Sequence, residues 1–311
     1  MEYDVAVIGG GPAGMSAAAG ALTAGAKRVL LVERDVALGG ILNQCTHSGF
    51  GMRNFGQELT GVEYAERLRE HLGAWAANPK TPAASDIDIM TGTTVLKITK
   101  DRELILSGQT LQKVTARAIV LATGCRERPI GSLPVVGTRP SGIFTAGAAQ
   151  RMLNIGGYDL GRRAVILGSG DVGMIVAREL KKRGCEVAAV IEQNEVCGGL
   201  ERNRRKCLDE FNIPLKYNST VTEIHGATRI SGVTVQNLVT GDSEDVTCDT
   251  LIVSVGLIPE RELLDSLATD AGVVPSFMFA CGNAHFAHDF VDDVSDESKR
   301  VGRLAADFAL R

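Results

Sequence analysis

The chain has 311 residues, of which 44% are hydrophobic and 23% charged, and its formal net charge is −4. This length and composition fit two globular domains with full hydrophobic cores. The slightly acidic balance excludes the basic field that binding to nucleic acid or to an anionic membrane surface requires. The seven cysteines form no C-x-x-C motif, which argues against a disulfide scaffold, a zinc ribbon or an iron–sulfur cluster.

The first predicted elements form a β-α-β unit. Apolar runs at 4–8 and 28–32 predict two parallel strands, and the small residues of 13–26 predict a helix between them. That helix is too short and too rich in alanine and glycine to span a bilayer. Because the first strand is predicted to start within four residues of Met1, we expect no signal peptide. We therefore expect a cytoplasmic protein without a membrane span.

A glycine fingerprint joins the first strand to the helix as Gly9-x-Gly11-x-x-Gly14, and Glu33 follows 19 residues later at the end of the next strand. The first glycine permits a tight turn, the second lets the backbone approach a pyrophosphate, and the third allows close packing of helix on strand. A carboxylate at position 33 accepts hydrogen bonds from ribose hydroxyls. The sequence therefore predicts a dinucleotide site here.

The middle of the chain reads as a helix followed by strands. Thr60 and Glu63 have the spacing of a capping box ahead of an apolar helical pattern. Residues 78–85 form a polar loop with prolines, and 87–121 alternate as strands and hairpins do. A second β-α-β unit follows, with strands at 165–167 and 187–191 around a helix at 171–183.

This second unit repeats the fingerprint as Gly168-x-Gly170-x-x-Gly173, again with a carboxylate, Glu192, 19 residues further on. A carboxylate at this place bonds a free 2′-hydroxyl and repels a 2′-phosphate, so the sequence predicts NAD(H) rather than NADP(H). The nearby arginines at 202, 204 and 205 are interpreted as a solvated or partner-facing surface. Internal duplication of a nucleotide-binding unit is the simplest explanation of the two fingerprints.

The rest of the chain is expected to hold a helix at 199–211, a strand at 213–217 and hairpin strands over 219–255. A strand at 277–281 and a helix at 289–310 follow. His285 and His288 have H-x-x-H spacing, but the sequence offers no further ligand beside them, and we expect no metal site.

Further motifs carry a resemblance to a known family. Ala122-Thr123-Gly124, the turn at 255–259 (V-G-L-I-P) and Gly282-Asn283 resemble segments of the pyridine nucleotide–disulfide oxidoreductase superfamily in its short, thioredoxin-reductase-like form. The resemblance implies an α/β fold of two nested Rossmann-like domains, each with three ββα layers. The FAD domain is then discontinuous, over 1–130 and 257–311, and the NAD(H) domain lies at 131–256.

The resemblance also implies which residues bind the cofactors. Those expected at FAD are Gly9, Gly11, Pro12, Ala13, Gly14, Glu33, Arg34, Gly40, Val95, Ala122, Thr123, Gly124, Gly282 and Asn283. Those expected at NAD are Gly168, Gly170, Asp171, Val172, Gly173, Glu192 and Gly256. The superfamily has an aspartate where this chain has Asn283, which still forms hydrogen bonds but carries no charge.

The family's disulfide reductases place a second redox pair beside the flavin, and this chain lacks it. Leu42 and His47 occupy the positions of one cysteine pair, and 144–149 contain no C-x-x-C. A dithiol relay needs two thiols within bonding reach, so thioredoxin or glutathione reduction is not expected. Cys45 as a reactive thiol and His47 as a donor to flavin or substrate are the candidate catalytic residues, although Cys45 also fits a buried packing role.

Segments 39–51, 142–150, 168–173, 198–203 and 281–289 are similar to a narrower group of NAD-linked flavoproteins. Examples are the FAD/NAD subunits associated with glycerol-3-phosphate dehydrogenases and the alpha subunits of opine, amino-acid and hydrogen-cyanide-forming dehydrogenases. The implied activity is hydride transfer between NAD(H) and FAD in a dehydrogenase complex. The implied partners are a second flavoprotein, a small cysteine-rich electron carrier and a second copy of the chain.

Two other functions stay open. One is a standalone NADH-dependent flavin reductase or oxidase, and the other, less favoured, is a disulfide reductase of the thioredoxin reductase kind. The segment 257–281 is shorter than the family's usual return segment. A strand or loop that covers the flavin in the family is therefore expected to be missing here.

Overall fold

The computed structural model describes residues 1–76, 86–268 and 272–311. The polar loop expected at 78–85 lies outside these ranges. The chain divides into two compact units. Unit 1 consists of Met1–Arg126 and Pro259–Arg311, and unit 2 of Glu127–Ile258.

The elements follow one another in the order that duplicated β-α-β openings predict. The first segment of unit 1, up to the passage into unit 2, contains β1 (Glu2–Ile8), α1 (Pro12–Thr23), β2 (Arg28–Val32), β3 (Ser48–Phe50), β4 (Leu59–Thr60), α2 (Gly61–Ala76), β5 (Asp86–Met90), β6 (Thr94–Ile98), β7 (Glu103–Ser107), β8 (Leu111–Leu121) and β9 (Cys125–Glu127).

Unit 2 and the passage back into unit 1 contain β10 (Val136–Gly137), β11 (Ile143–Thr145), α3 (Ala146–Asn154), β12 (Arg163–Leu167), α4 (Asp171–Lys182), β13 (Glu186–Ile191), α5 (Glu201–Cys207), β14 (Leu215–Lys216), β15 (Ser219–Gly226), β16 (Ile230–Asn237), β17 (Ser243–Thr247), β18 (Thr250–Val253) and β19 (Leu257–Pro259). The return segment of unit 1 then contains α6 (Glu262–Asp265), β20 (Met278–Ala280) and α7 (Val291–Ala309).

Unit 1 is built on one sheet whose strands run in the order β5-β2-β1-β8-β7-β6, with β20 also paired to β8. The pairs among β5, β2, β1 and β8 are parallel, and β20 is parallel to β8. Side chains alternate across β1, so Val5 and Val7 face a core shared with α1 and α7. Ala6 and Ile8 face a second core formed with the antiparallel strands β6 to β8.

The two long helices of this layer meet backbone to backbone. A Cβ added at Gly20 of α1 would lie 2.2 Å from the carbonyl oxygen of Lys299 in α7. One added at Gly302 of α7 would lie 1.9 Å from the carbonyl oxygen of Ala17 in α1. Only glycine fits at either position, so the approach of α1 to α7 is fixed by sequence.

Unit 2 repeats the layered plan. Its parallel sheet runs β11-β18-β12-β13-β14 and is covered on one side by the smaller sheet β10-β15-β16-β17. In β12, Ala164 and Ile166 pack into a core with α3 and α4. Val165 and Leu167 pack on the opposite side against the smaller sheet. The predicted α/β class, with two nested Rossmann-like units of ββα layers, is confirmed.

Most predicted elements are present with shifted ends. The helix expected at 199–211 divides into α5 and a 3₁₀ turn at Asp209–Phe211, and the strand expected at 213–217 shortens to β14. The capping box is confirmed, because Glu63 accepts the N–H of Thr60 at 2.7 Å and the Glu63 N–H donates to Thr60 Oγ1 at 3.3 Å. Among the described helices, none has the length and apolar character needed to cross a membrane.

Candidate functional site

The first glycine loop links the end of β1 to the start of α1. Gly9 has a φ of +104°, and a Cβ there would lie 2.4 Å from the carbonyl oxygen of Ala122 at the end of β8. A Cβ at Gly14 would lie 1.7 Å from the carbonyl oxygen of Gly9. Both glycines are therefore required by the turn itself, before any ligand is considered.

Gly11 differs from its two neighbours because the space above it is open. The nearest atom to a Cβ added at Gly11 is Cα of Gly40, at 3.8 Å. Pro12 opens α1, and no side chain caps that helix, so the N–H groups of Ala13 and Gly14 have no capping acceptor. A backbone cradle of this kind, at the positive end of a helix, suits a phosphate group.

Glu33 forms the side of this cradle. Its carboxylate is buried, and one oxygen accepts the N–H of Gly10 at 2.6 Å while the other accepts the N–H of Asp35 at 2.7 Å. The neighbouring Arg34 points outward and forms an ion pair with Glu260 at 3.5 Å. Val95 lies at the start of β6 with its side chain buried in the core of unit 1.

Two motifs reach the same edge of the sheet in unit 1, because β20 runs parallel to β8. Thr123 follows β8, and its hydroxyl donates to the carbonyl oxygen of Glu260 at 2.5 Å. Gly282 follows β20 with a φ of +57°, and a Cβ there would lie 2.7 Å from Cβ of Ala13. The structure thus brings the return segment against the start of α1. A Cβ at Gly124 would meet no atom within 4 Å, which leaves this edge open.

Asn283 holds the loop after β20 in place. Its Oδ1 accepts the N–H of His288 at 3.0 Å, and its Nδ2 lies 3.7 Å from Sγ of Cys125. His285 Nδ1 and His288 Nε2 lie 3.1 and 3.2 Å from the two oxygens of Glu297. Across the described parts of the chain, no three histidine, cysteine, aspartate or glutamate side chains gather as metal ligands.

The two candidate catalytic residues lie in the segment after Gly40. Cys45 is buried, and its Sγ lies 3.3 Å from the carbonyl oxygen of Ile41. A Cβ at Gly61, the first residue of α2, would lie 2.5 Å from Cβ of Cys45. This geometry fits the packing interpretation of Cys45. His47 is partly exposed, and its ring centroid lies 5.1 Å from that of Phe50.

The second glycine loop, between β12 and α4, reproduces the first. Gly168 has a φ of +101°, and a Cβ there would lie 2.0 Å from the carbonyl oxygen of Ser254 at the end of β18. A Cβ at Gly173 would lie 2.7 Å from the carbonyl oxygen of Gly168. At Gly170 the nearest atom is Oγ of Ser254, at 3.9 Å, so this position is open as Gly11 is.

Glu192 is held by more donors than Glu33. Oε2 accepts the N–H and the hydroxyl of Ser169, at 3.1 and 2.6 Å. Oε1 accepts the N–H and the side-chain amide of Asn194, at 3.0 and 2.8 Å. Burial alone raises the pKa of Glu192, but the hydrogen bonds from Ser169 and Asn194 outweigh it and hold the pKa below its ordinary value. The carboxylate is therefore ionised at neutral pH.

The segment that leads to α5 is fastened over this loop. Gly198 N–H donates to Ser169 Oγ at 2.7 Å, and Leu200 N–H donates to Asp171 Oδ1 at 2.8 Å. Val172 on the first turn of α4 is exposed. The turn at Gly256 has a φ of +112° and leaves open space where a Cβ would lie.

Two features here were not predicted from the sequence. Ser169 lies at an unspecified position of the fingerprint and Asn194 lies two residues after Glu192, so no motif marks either of them. Arg204, one of the three arginines near this carboxylate in sequence, forms ion pairs with Glu201 at 2.6 Å and Asp209 at 3.0 Å. The positive charge of Arg204 is therefore paired with these two carboxylates and does not offset the negative charge of Glu192.

A family model described as Pyridine nucleotide-disulphide oxidoreductase matches residues 3–274. The chain is 25% identical to the thioredoxin reductase of Treponema pallidum, with 87% of this chain and 81% of the relative covered. It is 30% identical to an opine oxidase subunit of Agrobacterium tumefaciens, over 61% of this chain and 37% of that relative. An alkyl hydroperoxide reductase subunit of Staphylococcus epidermidis is 25% identical over 85% of this chain, which spans about half, 48%, of that relative's length.

Solved structures share the fold. The crystal structure of thioredoxin reductase from T. acidophilum matches with a TM-score of 0.77 and 19% sequence identity, covering 100% of this chain and 99% of that one. At this identity the likeness is one of architecture.

Proposed function

The chain belongs to the pyridine nucleotide-disulphide oxidoreductase family, and from this premise we propose that it transfers hydride between NAD(H) in unit 2 and FAD in unit 1. The family match confirms the predicted superfamily and, with it, an FAD-dependent oxidoreductase that uses a pyridine nucleotide. The observation that carries the proposal is the duplicated cradle, an open glycine beside a buried carboxylate, at Gly11 with Glu33 and again at Gly170 with Glu192.

The residues of unit 1 fit FAD. The open backbone at Gly11 and the uncapped start of α1 would hold the pyrophosphate, and Glu33 would accept the hydroxyls of the adenosine ribose. When bound, FAD supplies a ring system that accepts or gives a hydride. The remaining residues proposed at this site are Gly9, Pro12, Ala13, Gly14, Arg34, Gly40, Val95, Ala122, Thr123, Gly124, Gly282 and Asn283.

The residues of unit 2 fit NAD(H) better than NADP(H). Glu192 is buried and ionised, so a 2′-phosphate placed beside it would be repelled. Arg204 supplies no compensating charge, because two carboxylates already engage it. Gly168, Gly170, Asp171, Val172, Gly173 and Gly256 complete the proposed site.

The transfer itself needs no thiol relay in this proposal. Cys185, Cys197, Cys207, Cys248 and Cys281 form no disulfide in the structure. The disulfide reductase alternative, which the thioredoxin reductases among the relatives favour, requires two thiols within bonding distance. In the segment after Gly40 only Cys45 is a thiol, since Leu42 and His47 stand where the pair would be. Direct exchange between the two cofactors fits the chain better.

We further propose that the protein is the NAD-linked flavoprotein component of a dehydrogenase complex. The similarity to the opine oxidase subunit, which is by its name part of a larger assembly, supports this. The proposed partners are a second flavoprotein, a small cysteine-rich electron carrier and a second copy of the chain. The seven widely spaced cysteines with no C-x-x-C motif fit a reducing compartment, and we propose a cytoplasmic location.

Anaerobic mixing of the purified protein with NADH or NADPH tests the cofactor proposal. We expect a yellow protein whose flavin absorbance bleaches much faster with NADH. A protein that takes up no FAD under any reconstitution condition would overturn the proposal.

Affinity purification of the full chain tests its role in a complex. Recovery of a second flavoprotein supports it. Rapid NADH oxidation by oxygen with the isolated chain, and no partner, supports the standalone reductase instead.

A further inference from the structure

Glu33 and Glu192 follow the equivalent strands β2 and β13. Their carboxylates differ in the number of hydrogen bonds that they accept from the protein. Glu33 accepts one main-chain N–H on each oxygen. Glu192 accepts two donors on each oxygen, from Ser169 on one side and Asn194 on the other. An ionised carboxylate offers about four lone-pair sites. Glu33 therefore keeps sites for ribose hydroxyls, whereas those of Glu192 are filled by unit 2 itself.

A ribose that binds Glu192 must displace one of these donors, and they are not equally mobile. Ser169 is fully buried, and its Oγ also accepts the N–H of Gly198, so its departure would break two hydrogen bonds. The main chain at Asn194 is fixed because its carbonyl oxygen accepts the N–H of Asn218 at 3.0 Å. The side chain of Asn194 is exposed, so its amide can turn into water at the cost of one hydrogen bond.

On the basis of the proposed function, we propose that Asn194 is a positioning residue that competes with the nucleotide for Glu192. Its side-chain amide occupies the place of a ribose hydroxyl on Oε1 and thereby weakens the binding of NAD(H). Weak, exchangeable binding is what a co-substrate requires. Glu33 accepts only main-chain donors in the bonds described above, which fits a cofactor that stays bound.

The same residue affects the choice between NAD and NADP. A 2′-phosphate gains nothing when the amide of Asn194 leaves, because the charge of Glu192 still repels it. The amide is also a donor that a phosphate oxygen accepts. Asn194 therefore weakens the binding of NAD more than that of NADP, and it narrows the difference in affinity between the two nucleotides.

The test measures the Kd of ADP-ribose and of 2′-phospho-ADP-ribose on the FAD-loaded full chain by isothermal titration calorimetry. Neither ligand carries nicotinamide, so no hydride moves. Asn194→Ala keeps the main-chain bond to Glu192, and Gln193→Ala changes the exposed neighbour as a matched control. Unfolding temperatures show whether each variant is folded.

We expect Asn194→Ala to lower the Kd of ADP-ribose roughly fivefold, which corresponds to about 1 kcal/mol, without lowering that of the 2′-phosphorylated ligand. Gln193→Ala leaves both unchanged. An ADP-ribose Kd in Asn194→Ala equal to or above the wild-type value overturns the inference and leaves the proposed function intact. Wild-type protein that binds neither ligand overturns the proposed function, and the inference with it.

Discussion

The main-chain N–H of Gly10 donates to Glu33 Oε2 across 2.6 Å, which joins the turn after β1 to the end of β2. The equivalent bond in unit 2 runs from Ser169 N–H to Glu192 Oε2 at 3.1 Å. In both units the carboxylate is thus held beside the glycine loop by that loop's own backbone. Glu33, which keeps acceptor sites free of protein donors, needs little rearrangement to receive a nucleotide.

Gly14 and Gly11 should respond differently to alanine. In Gly14→Ala the added Cβ would lie 1.7 Å from the carbonyl oxygen of Gly9, so we expect a loss of about 3 kcal/mol of unfolding free energy. In Gly11→Ala the nearest atom lies 3.8 Å away, so the fold should survive while the bound FAD falls. Thermal unfolding and the ratio of flavin to protein absorbance separate the two effects.

Gly73→Ala is the control, because no atom lies within 4 Å of its added Cβ and it sits inside α2. It should keep FAD and gain up to about 1 kcal/mol of stability. Full FAD content in Gly11→Ala would show that no pyrophosphate approaches that glycine.

Glu33→Ala should reduce both the stability of unit 1 and its binding of FAD. The change leaves the N–H groups of Gly10 and Asp35 without their acceptor, at a cost of about 1–3 kcal/mol in a buried setting. It also removes the proposed acceptor for the ribose, so the Kd of FAD should rise at least roughly tenfold. Reconstitution of the apoprotein measures it, with the exposed Glu58→Ala as control. Equal FAD affinity in both variants would contradict the assignment of Glu33.

Glu192→Ala should erode the preference for NADH over NADPH by roughly tenfold, the effect of about 1.4 kcal/mol. The reason is that its removal takes away the negative charge that faces a 2′-phosphate. The ratio of kcat/KM for the two nucleotides measures it, and exposed Glu195→Ala serves as the matched acidic control. If the NADH advantage persists unchanged, the discriminating carboxylate lies elsewhere.

Alkylation should distinguish the cysteines by burial. Burial raises the pKa of the Cys185 and Cys248 thiols to about 11 and that of Cys281 to about 12, so almost no thiolate forms there at about pH 8. Cys125 and Cys197 are partly exposed. Iodoacetamide followed by peptide mass spectrometry should find label on these two, because they are the more accessible to the reagent. Label on Cys281 in folded protein would show that its surroundings open to solvent.

The elements that could be predicted from the sequence are those that one local pattern of residues determines. The spacing of Gly9, Gly11 and Gly14 between two apolar runs permits little besides a turn between strand and helix. Thr60 and Glu63 form their capping box because both partners lie within one helical turn.

The details that depend on distant partners are those the sequence did not predict. The helix expected from residue 199 begins at Glu201, because the backbone of Leu200 is extended, with a ψ of 138°, where its N–H donates to Asp171, 29 residues away. The saturation of Glu192 depends likewise on Ser169, which lies 23 residues earlier. No periodicity along the chain encodes such pairs.

The close approach of α1 and α7 affects the order in which the two units can fold during synthesis. Unit 2 is one uninterrupted stretch, Glu127–Ile258, and can fold as it leaves the ribosome. The amino-terminal segment of unit 1 is synthesised first, but its packing is completed only by α7, because Gly20 of α1 contacts the backbone of Lys299 in α7. We therefore expect the face of α1 that packs on α7 to stay uncovered during synthesis until α7 is made, so the amino-terminal part of unit 1 completes its packing after unit 2.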